Sequence, residues 1–225
     1  MIKNIVIASP HSRHDHIGTE LGAQFNVMRI KSPEALTADY LKELNPTYVF
    51  FPHWSWIIPD EIVADFQCVV FHMTDLPYGR GGSPLQNLIV RGKNETVISA
   101  IKCVKELDAG PIYLKMPLTL DGTAKEILDR ASNVIQQMIF KIVEGRGELK
   151  DQLGDVTIFK RRVSDDGDLA HLETTNQIYD YIRMLDAENY PSAFIEIDNF
   201  RLEFTSANHV GGTVEAVVKF HRRDK

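Results

Sequence analysis

A histidine directly follows a short apolar run near the middle of the chain, which is typical of a functional site. The run, residues 68–71, is rich in β-branched side chains, so it predicts a buried strand that presents His72 at its carboxyl end. Two glycines follow at positions 81 and 82, and then a serine and a proline with the pattern of a helix N-cap and first helical residue. Strand end, glycine loop and helix start together form a place where α/β proteins bind ligands.

A carboxylate in a later turn is the second candidate for chemistry. Asp108 lies between two predicted strands, residues 97–104 and 112–118. Parallel α/β sheets gather functional groups after buried runs, so the sequence allows Asp108 to pair with His72, although a solvated turn aspartate is the ordinary alternative. A histidine held by a carboxylate acts as a general acid or base, or as a cation that stabilises an oxyanion.

Aromatic residues and a histidine follow another predicted buried strand, residues 48–51. His53, Trp54 and Trp56 share the loop after it, and these are the only two tryptophans of the chain. Two interpretations stay open, since the tryptophans either pack the strand end or form an aromatic wall for a flat ring.

Three further histidines stand close together at positions 11, 14 and 16. Zinc ligands need a rigid face, and the sequence offers no further cluster of Cys, His and Asp to complete a site, so we predict no metal. A solvated helix start that can touch a substrate is the favoured interpretation. The first strand, residues 5–8, lacks the glycine pattern of dinucleotide-binding proteins after it.

The remaining periodicity predicts the elements that must position these groups. Helical spacing covers residues 33–44, and a capping box at 123–126 opens a long amphipathic helix. After residue 159 the pattern changes to a helix from 174 to about 185 and three short strands. The sequence therefore predicts an α/β domain with a mostly parallel sheet, residues 1–155, and a small α+β subdomain, residues 156–225.

Composition narrows the function classes. The 225 residues carry a net charge of −6 with no long block of one sign, which argues against a nucleic-acid partner. Both cysteines, Cys68 and Cys103, lie in apolar segments and are expected to be reduced. The first apolar stretch is too short for a signal peptide and no run could span a bilayer, so we expect a soluble, cytoplasmic protein with no membrane partner.

Three blocks of sequence resemble folate-dependent formyltransferases. They are His72-Met73-Thr74-Asp75-Leu76-Pro77, Arg80-Gly81-Gly82-Ser83-Pro84-Leu85-Gln86-Asn87 and Asp108-Ala109-Gly110-Pro111-Ile112. The blocks occur in the family's order over residues 45–150 and look most like sugar N-formyltransferases, which are relatives of methionyl-tRNA formyltransferase and glycinamide ribonucleotide transformylase. Within that group they look closest to the pseudaminic-acid pathway type and to formylation domains of nonribosomal peptide synthetases.

The resemblance implies a Rossmann-like formyltransferase fold and transfer of a formyl group from N10-formyltetrahydrofolate to an amine. By motif, His72 is the catalytic histidine that stabilises the oxyanion, and Asp108 keeps it charged and assists proton transfer. The family binds folate with two loops, which correspond here to residues 54–59 and 107–112. The cofactor-binding residues implied are Trp54, Trp56, Ile57, Leu107, Gly110 and Ile112.

One position departs from the family pattern. The family places an asparagine two residues before the histidine as a second oxyanion donor, and this chain has Val70 there. A valine side chain donates nothing, so His53, Thr74, Asn87 and a water molecule stand as alternatives for the missing hydrogen bond.

The implied substrate is an amino sugar, expected to be nucleotide-linked. Arg80, Gly81, Gly82 and His53 are assigned to substrate binding, since an arginine, a glycine loop and a helix N-terminus suit an anion, although the glycines also fit a turn needed only for packing. Two alternatives stay open: a weakened folate or sugar-nucleotide binding protein, or a formyltransferase for another amine, namely methionyl-tRNA, glycinamide ribonucleotide or an aminoacyl carrier. The oligomeric state stays open as well.

Overall fold

The protein is described by a computed structural model of residues 2–223, in which the chain forms two compact units. The first unit comprises residues up to Arg80, Thr96–Leu118 and Asp129–Ile158. The second comprises Gly81–Glu95, Thr119–Leu128 and the residues from Phe159 onward. The predicted division at residues 155 and 156 stays a prediction, and it did not anticipate the two earlier segments that join the second unit.

The described chain contains strands and helices in the following order. The strands are β1 (Asn4–Ala8), β2 (Asn26–Ile30), β3 (Tyr48–Phe51), β4 (Cys68–His72), β5 (Arg80–Gly81), β6 (Glu95–Lys102), β7 (Ile112–Thr119), β8 (Ile158–Phe159), β9 (Ala193–Ile197), β10 (Phe200–Val210) and β11 (Thr213–Arg222). The helices are α1 (Asp15–Leu21), α2 (Ala38–Leu44), α3 (Asp60–Asp65), α4 (Pro84–Ile89), α5 (Ala124–Val143) and α6 (Thr175–Arg183), with 3-10 turns at Ser12–His14, Pro33–Ala35 and Ser164–Gly167.

The main sheet has six strands in the order β2-β1-β3-β4-β6-β7. Strands β1 to β4 pair in parallel, and β6 runs antiparallel to β4. This is the predicted mostly parallel, Rossmann-like α/β sheet, so the predicted fold class is confirmed. The carboxyl ends of β1, β3 and β4 meet at one edge of the sheet.

Both faces of the sheet are buried, as the near-continuous apolar strands predict. Alternate residues of β1 and β3, such as Val6 and Phe51, pack with Leu41 of α2 and Ile62 of α3 in one cluster. The other face carries fully buried residues such as Phe50. The apolar run of each central strand is therefore explained by burial on two sides.

Local signals set the helix ends. Thr37 accepts a hydrogen bond from the Tyr40 amide at the start of α2, and Thr174 with Gln177 forms a capping box before α6. The predicted box before α5 is present as well, since the Thr123 amide donates to the Glu126 carboxylate.

Several predicted elements differ in detail. Two elements were not predicted, because neither carries a long periodic pattern: β2, an edge strand with exposed positions, and the six-residue α3. The predicted helix over residues 33–44 is a 3-10 turn and a separate α2, since Thr37 is extended. Ser83 stands at the N-cap of α4, but its backbone is left-handed and its hydroxyl accepts from the Arg162 amide instead.

The second unit has its own core. Strands β9, β10 and β11 form an antiparallel sheet with β10 in the centre. Leu169, Ile182 of α6 and Ala193 of β9 form its buried centre. The predicted helix and three strands of this region are all present.

Both cysteines are free, as expected. Burial raises the pKa of the Cys68 thiol to about 12, with the neighbouring Cys103 adding to the effect. Within residues 2–223, no helix is long and apolar enough to cross a membrane, and no group of three or more His, Cys, Asp or Glu side chains has a metal-binding arrangement.

Candidate active site

His72 is the last residue of β4 and is buried in the first unit. Its Nε2 lies 2.7 Å from the carbonyl oxygen of Gly79, and because a carbonyl only accepts, Nε2 carries a proton. Its Nδ1 lies 3.5 Å from Oδ2 of Asp108. Oxygen acceptors therefore lie beside both ring nitrogens of His72.

Asp108 reaches His72 by a route that the sequence did not suggest. Strand β6 is antiparallel to β4, so the loop after it begins at the far end of β4, where the Cys103 amide donates to the Cys68 carbonyl. The loop then folds back, and Asp108 adopts a left-handed backbone with φ of 52°. A left-handed non-glycine residue costs backbone energy, and at this position it accompanies the approach of the carboxylate to His72.

Gln152 fixes this loop, and sequence reasoning missed it. Its side-chain amide donates to the carbonyl oxygens of Asp108 and Gly110 at 2.7 and 2.9 Å. Its Oε1 accepts from Nε and an Nη of Arg80 at 3.1 and 2.8 Å. A lone glutamine in an irregular segment carries no sequence signal, so only the folded chain shows that it joins Arg80 to the Asp108 loop.

Arg80 therefore has protein partners besides any substrate. Its guanidinium also lies 3.6 Å from the Glu106 carboxylate. Gly81 and Gly82 are explained by close packing, since a Cβ at Gly81 would lie 2.4 Å from the Phe159 carbonyl oxygen and one at Gly82 2.6 Å from the Arg161 backbone. The assignment of Arg80 and the two glycines to substrate binding stays a prediction.

The predicted folate-binding residues have unequal exposure. Trp54 packs edge-on against Phe51, and against Trp56 with ring centroids 4.9 Å apart. Trp54 therefore contributes to the core, whereas Trp56 and Ile57 are 43% and 94% exposed. The buried indole N–H of Trp54 has no acceptor among the described residues.

The loop before β7 supplies the other predicted folate contacts. Leu107 is 71% exposed, and Ile112 is half-buried at the start of β7. A Cβ at Gly110 would lie 1.8 Å from the Lys102 carbonyl oxygen, so only glycine fits there. Folate binding by these residues stays a prediction.

The structure narrows the alternatives for the hydrogen bond lost at Val70. The Asn87 amide nitrogen lies within hydrogen-bond distance of the carbonyl oxygens of Gly82, Ser83 and Lys160, and its Oδ1 accepts from Arg91. Asn87 is thus used structurally. The Thr74 hydroxyl donates to the Gly79 carbonyl at 3.4 Å, a long bond that another acceptor could replace.

His53 follows β3 with a left-handed backbone, φ 51°. Its Nδ1 lies 3.1 Å from Nε2 of His14, and its Nε2 lies 3.4 Å from the Met73 sulfur. Burial, and after it the charges of Arg13 and His11, lowers the pKa of His53 to about 3, so the ring is neutral at physiological pH.

Comparisons with known proteins identify the chain's relatives. Residues 9–143 match the family described as formyl transferase, and residues 164–221 match the C-terminal domain of methionyl-tRNA formyltransferase. The structure of methionyl-tRNA formyltransferase from Clostridium thermocellum is 45% identical, with a TM-score of 0.94, and the match covers 98% of this chain and 100% of that one. HypX from Aquifex aeolicus in complex with tetrahydrofolic acid shares the fold at 14% identity and a TM-score of 0.76, over 92% of this chain and 38% of that one.

Among curated proteins, methionyl-tRNA formyltransferase of Sulfurihydrogenibium sp. is 24% identical over 202 residues. That match covers 86% of this chain and 64% of the relative. The chain therefore spans less than two thirds of the length of the first curated relatives it matches.

These findings correct the predicted substrate. The assignment to sugar N-formyltransferases, the amino-sugar substrate and the exclusion of a nucleic-acid partner are wrong. Methionyl-tRNA formyltransferases match both parts of the chain, and the one from Clostridium thermocellum is 45% identical, whereas solved sugar N-formyltransferases share only the fold, at 15–16% identity. A net charge of −6 does not exclude a nucleic-acid partner, because net charge describes the whole chain, whereas a nucleic acid contacts a local surface.

Proposed function

The chain belongs to the formyl transferase family, and from that premise we propose that it transfers a formyl group from N10-formyltetrahydrofolate to the amino group of methionyl-tRNA. The observation that carries the chemistry is the buried His72, held between the Gly79 carbonyl and the Asp108 carboxylate. The choice of amine rests on the relatives, whose names state methionyl-tRNA as the substrate.

The reaction joins the amine nitrogen to the formyl carbon and breaks the bond between that carbon and N10 of the folate. The amine loses a proton and N10 gains one, so no oxidant or metal is needed to balance the step. Negative charge develops on the formyl oxygen in between. An imidazolium that donates to this oxygen stabilises the transition state, at a typical value of about 3 kcal/mol for one donor.

The hydrogen bonds of His72 indicate which nitrogen serves the reaction. Nε2 is held by Gly79 at 2.7 Å, a good hydrogen bond. The 3.5 Å from Nδ1 to Asp108 is longer than a charge-assisted hydrogen bond, so the Nδ1 proton is the one available to a formyl oxygen beside Asp108. Asp108 then keeps His72 charged and assists proton transfer through it.

A tRNA substrate also needs basic surface. The second unit carries three consecutive basic residues at positions 160–162, of which Lys160 and Arg161 are exposed. Clustered basic residues bind phosphates through counterion release regardless of the net charge of the chain. Charged tRNA and formyl-folate are cytoplasmic, so we propose that location for the protein.

The test is a transfer assay with N10-formyltetrahydrofolate and methionyl-tRNA. We expect formylmethionyl-tRNA and tetrahydrofolate in equal amounts, and none with uncharged tRNA. An Asp108→Asn variant should lose about 100-fold in turnover, because an amide keeps the shape but removes the negative charge beside His72. Asp39→Asn, an exposed position on α2, is the matched control.

Two outcomes would defeat the proposal. If wild-type protein binds formyl-folate but formylates no methionyl-tRNA, the chain is a folate-binding protein or acts on another amine. If Asp108→Asn transfers at the wild-type rate, the role of Asp108 is wrong.

A further inference from the structure

A chain of hydrogen bonds leads from Ser132, in the middle of α5, to His53 inside the first unit. The Ser132 hydroxyl lies 2.9 Å from the Arg13 carbonyl oxygen and 2.6 Å from Nδ1 of His14. His14 Nε2 in turn lies 3.1 Å from Nδ1 of His53. Ser132 and His14 are both fully buried, so water does not compete for these contacts.

Counting protons fixes the direction of this chain. A carbonyl oxygen only accepts, so the single hydroxyl proton of Ser132 lies between it and Arg13. Ser132 Oγ must then accept the Nδ1 proton of His14. A neutral His14 has only a lone pair left at Nε2, which accepts the Nδ1 proton of His53, and so His53 Nε2 carries no proton.

The reversed chain is less favourable. It would turn the Ser132 proton toward His14 and leave two oxygen acceptors 2.9 Å apart with no proton between them. It would also end in a bond from His53 Nε2 to the Met73 sulfur, which is a weak acceptor. The first direction gives up the weak bond to Met73 and keeps the stronger hydrogen bond from Ser132 to the Arg13 carbonyl oxygen.

His53 contacts the residue that follows the proposed catalytic histidine. Strands β3 and β4 pair in parallel with Phe51 opposite Val70, and His53 and His72 each follow this pair by two residues. Met73, which touches His53, is the residue after His72. The left-handed backbone at His53 is the kind of local strain found at functional sites.

Building on the proposed function, we propose that His53 is a further catalytic residue, whose unprotonated Nε2 accepts a proton from the attacking amine. His14 and Ser132 are positioning residues that fix its tautomer. His53 is then not a replacement for the oxyanion donor lost at Val70, because a nitrogen without a proton cannot donate.

The step balances with His53 as the base and His72 as the acid. As the amine nitrogen bonds the formyl carbon it becomes acidic, and its proton moves to His53 Nε2. His72 gives its Nδ1 proton to N10 as the carbon–N10 bond breaks. The proton on His53 is then lost to solvent and His72 regains one, so the enzyme returns to its starting state.

The surroundings of His53 keep its ring neutral. The rings of His11 and His14 lie beside it, and burial, followed by the charges of Arg13 and His11, lowers the pKa of His53. The ring is therefore neutral at neutral pH, so one of its nitrogens carries a lone pair.

The first arm of the test is a measurement that needs no turnover. Ring ¹⁵N spectra of the full chain at pH 7.5 should show His53 as the Nδ1–H tautomer. A Ser132→Ala variant should show a mixture of tautomers, because His14 loses the acceptor that orients it. A protonated Nε2 in wild-type protein would overturn the inference.

The second arm is kinetic and uses His53→Asn. Asparagine tolerates the left-handed backbone and can still donate to His14, so the substitution removes only the Nε2 base. We expect turnover of methionyl-tRNA to fall 100-fold or more with formyl-folate binding unchanged, and Ser132→Ala to fall by a smaller factor. His221→Asn, on exposed β11, should keep wild-type turnover.

The two proposals fail separately. Wild-type protein that transfers nothing to methionyl-tRNA defeats the proposed function, while the ¹⁵N spectrum still decides the state of His53. Active wild-type protein with an equally active His53→Asn variant defeats only the role of His53.

Discussion

At the scale of single residues, the site is set by which nitrogen of each histidine holds a proton. His72 has acceptors at both nitrogens and is placed to donate. His53 has its one proton tied to His14 and is placed to accept. Two histidines at the ends of neighbouring strands therefore have opposite chemistry because their buried partners differ.

The neutral buried histidines make stability sensitive to acid. Burial lowers the pKa of His14 and of His53 from the ordinary value of 6.5, for His53 to about 3, whereas the unfolded chain protonates both near pH 6.5. Their contribution is therefore complete above pH 6.5 and decreases below it, by about 1.4 kcal/mol per pH unit for each histidine. We expect Tm to fall steadily from pH 7 to pH 5, measured by calorimetry.

A His53→Asn variant provides the comparison. It removes one of the two titrating groups, so the free energy of unfolding should depend less steeply on pH. A Tm that stays constant between pH 6.5 and 5 in wild-type protein would contradict the assignment of neutral buried rings.

At the scale of elements, irregular segments are held by a few specific contacts. Gln152 donates to two carbonyl oxygens of the loop before β7, where that loop returns to His72. Gly81 and Gly82 let the backbone approach residues 159 and 161 closely. Such contacts give precision that the regular strands alone do not supply.

Gln152→Glu is expected to loosen the Asp108 loop. A carboxylate keeps the contact with Arg80 but cannot donate to the carbonyl oxygens of Asp108 and Gly110, and it repels them. Turnover should fall by about tenfold while the wild-type Km for methionyl-tRNA is retained. An unchanged rate in steady-state kinetics would show that the loop is held by other contacts.

Gly81→Ala is expected to destabilise the second unit. The new Cβ would lie 2.4 Å from the Phe159 carbonyl oxygen, and the φ of 104° is unfavourable for alanine. We expect a loss of about 3 kcal/mol or more in urea unfolding.

Gly92→Ala is the matched control for this substitution. Gly92 also has a positive φ, 69°, but a Cβ there would meet nothing within 4 Å. It should cost only about 1 kcal/mol, the backbone penalty alone. Equal losses for the two variants would show that the close approach at Gly81 has no energetic weight.

At the scale of the whole molecule, the chain has a net charge of −6 but also contains a local basic segment, residues 160–162. A double variant, Lys160→Glu with Arg161→Glu, should raise the Km for methionyl-tRNA about tenfold or more and reduce its dependence on salt. Formyl-folate binding should not change. Lys42→Glu with Lys93→Glu makes the same change of charge at exposed positions elsewhere, and equal effects of the two pairs would refute a specific role for residues 160–161.

The sequence by itself determined the parallel sheet, most helix ends and the presence of His72 at a strand end, because these follow from local periodicity and capping. It also identified the superfamily, through short motifs whose residues lie close in the chain. The missed elements, β2 and α3, have little local signal because they are short or partly exposed.

Only the tertiary structure decided how distant residues act together. Gln152 reaches Asp108 across 44 positions, and Ser132 reaches His14 across 118. Spacing along the chain does not predict such contacts, since they depend on how loops return to the sheet. The proton positions on His53 and His72 follow from those contacts, and so the chemistry of each histidine was fixed by the fold and not by its type.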